Sequence, residues 1–269
     1  TYHCDLIMPP GAIPWLANQT VLVMNRFAAH LANIIVTYTQ DYADHSEFLH
    51  AYRKKLKIVS PPVDLPAVSQ KEIIDYKHRT NPNEKRPVIG MAVRFATEKG
   101  VEVILDALPK ILEKFPNVQV QFSGPYKNIR GEEHYIDRLM PRIRTYQNKG
   151  NWLFLGPQSH REMALFYPNI DVLILPSLNS TEAFGLVQIE AMISGSPAVA
   201  SALPGVRQPV LRHKMGKIVP IGDADALADA LIEIFENPDK FNADSNAIRQ
   251  QYLPDTIAQG FEEIFEKLV

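Results

Sequence analysis

Glu182 and Glu190 stand with seven residues between them in "TEAFGLVQIE", residues 181–190, and the run from Phe184 to Met192 around the second acid reads as an apolar helix. A carboxylate inside such a helix is costly unless something pairs with it. A helix that follows a parallel strand presents unpaired N–H groups and the positive end of its dipole at its start. Gly185 lets a ligand approach that backbone closely. A diphosphate suits such a place. At about 1.5 Å rise per residue, Glu190 lies roughly 9 Å along the axis from Phe184. That offset leads from a pyrophosphate to a ribose, whose two hydroxyls suit a carboxylate acceptor. Glu182, on the loop before the helix, points instead toward whatever the diphosphate carries. Taken singly, Glu182 is a helix-start acid and Glu190 a partly exposed face residue; Phe-Gly between them turns the pair into a ligand site.

Two cations fit the same chemistry. Arg94 directly follows the apolar run "PVIGMAV" (87–93), and Lys99 falls in the loop or first turn after it. Cations at such a strand end neutralise a leaving diphosphate. Lys99 alone reads equally well as a surface partner of Glu98 or Glu102.

These groups need a scaffold, and the chain from Arg86 onward supplies one. Strands are predicted at 87–93, 118–124, 152–156, 171–177, 197–201 and 216–221. Between them run helical patterns at 98–115, about 132–147, a short helix capped by Ser159 with Glu162, 184–194 closed by Gly195, and 224–238 capped by Asp223. Pro109 implies a kink or break in the first of these. Six short strands alternating with helices indicate an α/β fold with a doubly wound parallel sheet, whose ligands collect at the carboxyl ends of the strands. Residues 1–60 repeat the pattern in brief: "TYH" as a strand end, a helix at 16–32, a strand at 33–39, a helix at 40–52 and a strand at 56–62. Two full strands are too few for an independent covered sheet. The proline-bearing stretch 61–86 reads as a linker.

Several stretches in the order "VRFATEKG" (93–100), "VQFSGP" (120–125), "DVLILPS" (171–177), "TEAFGLVQIEAMISGSPAVAS" (181–201), "LPGV" (203–206) and "MGKIVPIGD" (215–223) resemble retaining glycosyltransferases of the GT-B fold, family 4. The resemblance covers nearly the whole chain from Arg86 and rests on the two spaced glutamates. It implies a complete C-terminal Rossmann-like domain and the remnant of an N-terminal one. The division is 1–60 for the acceptor-side remnant, 61–86 for the linker, 87–250 for the donor-binding domain and 251–269 for a helix packing back on the first domain. It also implies roles. Arg94 and Lys99 hold the donor diphosphate together with the Phe184 and Gly185 amides, and Leu186 joins the donor-binding set. Glu190 takes the ribose, Glu182 contacts sugar hydroxyls, and Gly124, Gly156 and Gln158 lie near the base. "TYHCD" looks like the family's histidine motif, which puts His3 near the transferring sugar; His3, Glu182, Arg94 and Lys99 form the catalytic set. Ala183 and Gln208 depart from the family pattern, standing where glycine and an acid are common.

The reaction implied is transfer of a sugar from a nucleotide-diphosphate donor to an acceptor hydroxyl with retention. The alternatives are a nucleotide-sugar epimerase on the same fold and a donor-binding module without turnover. The acceptor is left open between a lipid-linked sugar, a polysaccharide and a small molecule. Neither cofactor nor metal is expected: "DAD" at 223–225 opens a helix, where acids cap N–H groups. The implied setting is cytoplasmic, with peripheral association at the inner membrane face compatible with it.

Bulk properties agree. With 269 residues, 46% hydrophobic, 22% charged and a net charge of -2, the chain is an ordinary globular protein and gives no reason to expect a nucleic-acid partner. The basic run "RKKLK" at 53–57 reads as a solvated helix end. Cys4 is the only cysteine, which excludes an internal disulfide. No glycine fingerprint of a dehydrogenase is present, nor a run long enough to span a membrane. The abrupt opening on Thr1 reads as a cut from something longer, inactive without the missing part.

Overall fold

A computed structural model describes residues 1–6 and 11–268. The N-terminal part comprises α1 (Ala12–Leu31), β1 (Ile35–Thr37), α2 (Gln40–His45), α3 (Glu47–His50) and β2 (Leu56–Ile58). β1 and β2 pair in parallel, Ile35 opposite Leu56. Tyr2 donates its N–H to the Val36 carbonyl at 2.7 Å, so "TYH" runs beside β1 as a strand end would. The single helix expected over 40–52 is two helices. Ser46 is extended, ends α2, and accepts the Leu49 N–H on its hydroxyl to start α3.

The stretch 61–86 carries an element the sequence reading did not assign, α4 (Gln70–Thr80). Ser69 and Glu72 close a capping box at its start, and Tyr76 anchors it at 2% exposure.

The larger part alternates strictly: β3 (Val88–Ala92), α5 (Val101–Lys114), β4 (Gln119–Ser123), α6 (Glu133–Asn148), β5 (Trp152–Gly156), α7 (His160–Phe166), β6 (Val172–Leu175), α8 (Leu186–Met192), β7 (Ala198–Ser201), α9 (Gln208–His213), β8 (Gly216–Val219) and α10 (Ala224–Glu236). Two further helices close the chain, α11 (Ser245–Tyr252) and α12 (Pro254–Glu266). The six strands form one parallel sheet in the order β5-β4-β3-β6-β7-β8. Each strand sorts its side chains by parity. Ile89, Met91, Val120, Phe122, Val172 and Ile174 pack on the face covered by α5 and α10. Val88, Ala92, Leu173, Leu175, Ala198 and Ala200 pack on the other face with Phe166, Ile189 and Met192. Burial on both faces explains the continuous apolar runs of β3, β6 and β7.

Three local outcomes differ from expectation. α5 is one helix through Pro109. The expected 184–194 helix begins only at Leu186, because Gly185 is left-handed (φ 79°) and serves as its cap. α9 and α11 join α4 as unassigned elements. α12 packs on the small sheet through Ile257, with Phe261 and Ile264, against Val36 and Val59. Val269, the last residue of that expected segment, lies outside the described residues.

Candidate functional site

In the sheet order, the chain leaves β3 toward β4 on one side and returns on its other side as β6. The crevice outside the carboxyl ends at such a reversal is where ligands settle in this architecture. The loop after β3 and the loop after β6 meet there. Leu178 donates its N–H to the Glu98 carbonyl at 2.9 Å, which zips the two loops together. The zip brings Lys99 Nζ to 2.8 Å from Glu182 Oε2, with side-chain exposures of 18% and 21%.

Gly185 shapes the wall beside this pair. A Cβ there would stand 2.4 Å from Leu175 Cδ2 and 2.6 Å from Gln188 Nε2, and the backbone is left-handed besides. Only glycine fits. The first amides of α8 therefore open on the crevice with no intrahelical partner. A cleft of about 310 Å³ results, lined by His3, Cys4, Tyr38, Lys99 and Glu182 together with Phe184, Gly185 and Leu186. His3 reaches it from the N-terminal part; its Nδ1 is hydrogen-bonded to the Tyr38 hydroxyl, and Tyr38 meets Phe184 edge-on at 6.1 Å.

The structure thus gathers His3, Lys99, Glu182, Phe184, Gly185 and Leu186 around one cleft. The other predicted residues stand around it rather than on its wall. Arg94 is half exposed and turns its guanidinium to Glu98 at 2.7 Å. Gly124 and Gly156 hold neighbouring strand ends together through a 2.9 Å backbone bond. Gln158 donates to the Leu155 carbonyl at 3.0 Å and accepts from Tyr76 at 3.3 Å.

Glu190 lies one turn behind Leu186, on the same helix face and about 6 Å further along the axis. Its carboxylate accepts the Tyr167 hydroxyl at 2.5 Å. Burial pushes the Glu190 carboxyl above the usual range, while the Tyr167 hydrogen bond and the charge of His160 oppose that rise. Tyr167, at the close of α7, is the partner that the sequence reading lacked; 23 positions separate the two, so no local spacing marks it. Tyr38 and Cys4 were likewise not assigned to the site. A larger hollow of about 520 Å³ opens at the opposite, amino ends of the strands. There Arg86 is already neutralised by Asp171 at 2.6 Å.

A six-stranded parallel sheet with a cleft at its carboxyl ends, beside a two-stranded parallel sheet, is an α/β architecture, and its likeness to solved structures makes it the GT-B type. The chain belongs to the family glycosyl transferases group 1, which it matches over residues 72–251. It is 36% identical over 156 residues to a phosphatidyl-myo-inositol mannosyltransferase of Mycolicibacterium smegmatis, covering 58% of this chain and 38% of the relative. It is 27% identical over 218 residues to a D-inositol 3-phosphate glycosyltransferase of Corynebacterium urealyticum, covering 77% and 49%. The chain thus spans less than half the length of either relative. The fold matches that of Anabaena Alr3699/HepE in complex with UDP-glucose, with a TM-score of 0.80 at 23% identity, over 99% of this chain and 71% of the other.

Proposed function

We propose that the protein transfers a sugar from a nucleotide-diphosphate donor to an acceptor hydroxyl with retention of the anomeric configuration. The observation that carries this reading is the Lys99–Glu182 pair set beside the glycine-capped start of α8. The diphosphate takes the amides of Phe184 and Gly185, with Leu186 beside them, and shares Lys99 with Glu182. Arg94 turns from Glu98 to add a second cation. Such preorganised positive groups matter most where charge develops on the leaving group. The bond from the anomeric carbon to the phosphate oxygen breaks, and an oxocarbenium-like centre forms. The acceptor hydroxyl attacks from the same face, and its proton passes to the departing phosphate oxygen. Glu182 holds sugar hydroxyls, His3 faces the sugar from the other side of the cleft, and Glu190 accepts from the ribose.

The relatives' names support inositol-type and lipid acceptors as the first to test, and the bound UDP-glucose of the Anabaena protein supports a uridine donor. Among the described residues no helix is long and apolar enough to cross a membrane. The reading carries with it a cytoplasmic setting, against a membrane face where the acceptor is a lipid. Calorimetric titration with UDP, GDP and ADP, each with and without its sugar and without added metal, tests it. Saturable binding of one nucleotide, lost in Glu190→Ala, is the expected result; no binding of any by the folded chain overturns the site.

A further inference from the structure

Residues 1–60 meet the larger sheet beside the cleft, and one ion pair fastens them. Asp41, in the first turn of α2, takes three N–H donors from the loop before α9: the Gly205 amide at 2.9 Å, Arg207 Nε at 2.9 Å and Arg207 Nη2 at 2.5 Å. The side chains are 15% and 29% exposed. Among the described residues this is the only ion pair that joins residues 1–60 to the rest of the chain. Burial pushes the Asp41 carboxyl up, and the hydrogen bonds from Arg207 and Gly205 overcome this and hold it down at about 2.

What the pair grips is the neighbour of the donor loop. Gly205 is left-handed (φ 79°), and a Cβ there would stand 2.1 Å from the Ala183 carbonyl oxygen and 3.1 Å from Tyr42 Cβ. Its backbone is therefore pressed between the loop that carries Glu182 and the helix that carries Asp41. Ala183 is itself buried with Tyr42, Ala43 and Leu49 of the N-terminal part. Gln188 ties the same two loops from the sheet side, donating to the Phe184 carbonyl at 3.2 Å and the Val206 carbonyl at 2.9 Å. An apolar contact at this junction would stabilise it at least as well as a half-buried charge pair. A bidentate carboxylate–guanidinium pair instead fixes distance and orientation.

We infer that Asp41 is a positioning residue for the donor: by clamping Gly205 and Arg207 it holds the 181–185 loop so that Glu182 and Phe184 face the cleft. The clamp is visible without reference to any ligand; that it serves the donor rests on the proposed function. Two measurements keep the parts separate. Hydrogen exchange of the full chain is compared between the native protein, Asp41→Ala, Asp41→Asn and Arg207→Gln. A charged hydrogen bond of ordinary strength corresponds to about a tenfold change in a local opening equilibrium. Peptides over 181–187 and 203–208 are expected to exchange about tenfold faster in Asp41→Ala and Arg207→Gln, with those over β3 and β4 unchanged. Asp41→Asn, which keeps an acceptor for Gly205, falls between. Titration with UDP, GDP or ADP, whichever the native chain binds, against its glucose conjugate then tests the consequence. The conjugate is expected to lose about tenfold in affinity and the bare nucleotide distinctly less, because Glu182 serves the sugar. If the native chain binds no nucleotide, the proposed function fails, and the exchange data still decide the clamp. Unchanged exchange in both loops, in Asp41→Ala and Arg207→Gln alike, overturns the clamp. Equal loss for nucleotide and conjugate overturns the positioning role. Should Asp41→Ala exchange rapidly along its whole length, Arg207→Gln and Asp41→Asn carry the same decision.

Discussion

Glu190→Gln keeps the shape of the side chain and removes its charge. The folded protein pushes this carboxyl above its ordinary range by burial, against the help of Tyr167 and His160. For an acid so shifted, the folded state holds more protons than the unfolded one between the ordinary and the raised value. Stability therefore falls as pH rises through that window, and at neutral pH the carboxylate is a net cost to folding. A neutral amide in the same place is cheaper to bury. Glu190→Gln is expected to melt at the native temperature or slightly above it. Binding should move the opposite way. A hydrogen bond to a charged acceptor is worth about 1.5–3 kcal/mol, and the proposed function has Glu190 accept from two ribose hydroxyls, with the Gln carbonyl recovering part. A net loss of about 1.5–3 kcal/mol is roughly 10- to 150-fold in affinity. Thermal melting and calorimetric titration of the same preparations give both numbers. A variant that melts several degrees lower and binds nucleotide as before would make Glu190 a structural partner of Tyr167 and end the ribose assignment.

Other perturbations test the neighbouring parts. Lys99→Met removes the cation 2.8 Å from Glu182; nucleotide affinity should drop about tenfold or more, with a shallower salt dependence than the native protein in the same titration. Gly185→Ala forces a Cβ into a left-handed residue 2.4 Å from Leu175, which should cost about 2–5 kcal/mol in urea unfolding. Native nucleotide affinity should fall as pH drops through the raised value of Glu190, since the protonated acid no longer accepts from both hydroxyls. That acid limb should vanish in Glu190→Gln, and in Tyr167→Phe it should move to higher pH, because the lost hydrogen bond holds the carboxyl down.

The larger sheet was legible because its four inner strands are buried on both faces. A run such as "DVLILPS" has no polar side to confuse its period, and β6 lies within the range read for it. Caps were legible where one hydroxyl or carboxylate does the work, as at Ser159 with Glu162 and at Asp223. α4 escaped although Ser69 and Glu72 form the same box, because prolines on both sides and a polar surface with one buried residue, Tyr76, read as linker. The start of α8 shifted by two residues because a left-handed glycine caps without any side-chain signal. Contacts made across the fold left no trace in local spacing. Asp41 and Arg207 stand 166 positions apart, and Tyr167 reaches Glu190 from another helix.

The acid inside an apolar helix is explained by where that helix lies. α8 buries Gln188, Ile189, Ala191 and Met192 against the sheet and its neighbours, while Leu186 is exposed at the cleft. Glu190 follows Leu186 on that one open face. If packing alone governed the position, an aliphatic residue there facing a phenylalanine in place of Tyr167 would fill the same space and avoid the desolvation that raises the carboxyl. Tyr167 lowers that cost but leaves it standing. A group kept at a net cost, one turn behind the open amides of a glycine-capped helix start, is what a polar ligand lying along that face would require. On the proposed function the two glutamates divide the ligand between them, Glu182 holding the end beyond the diphosphate and Glu190 the end behind it.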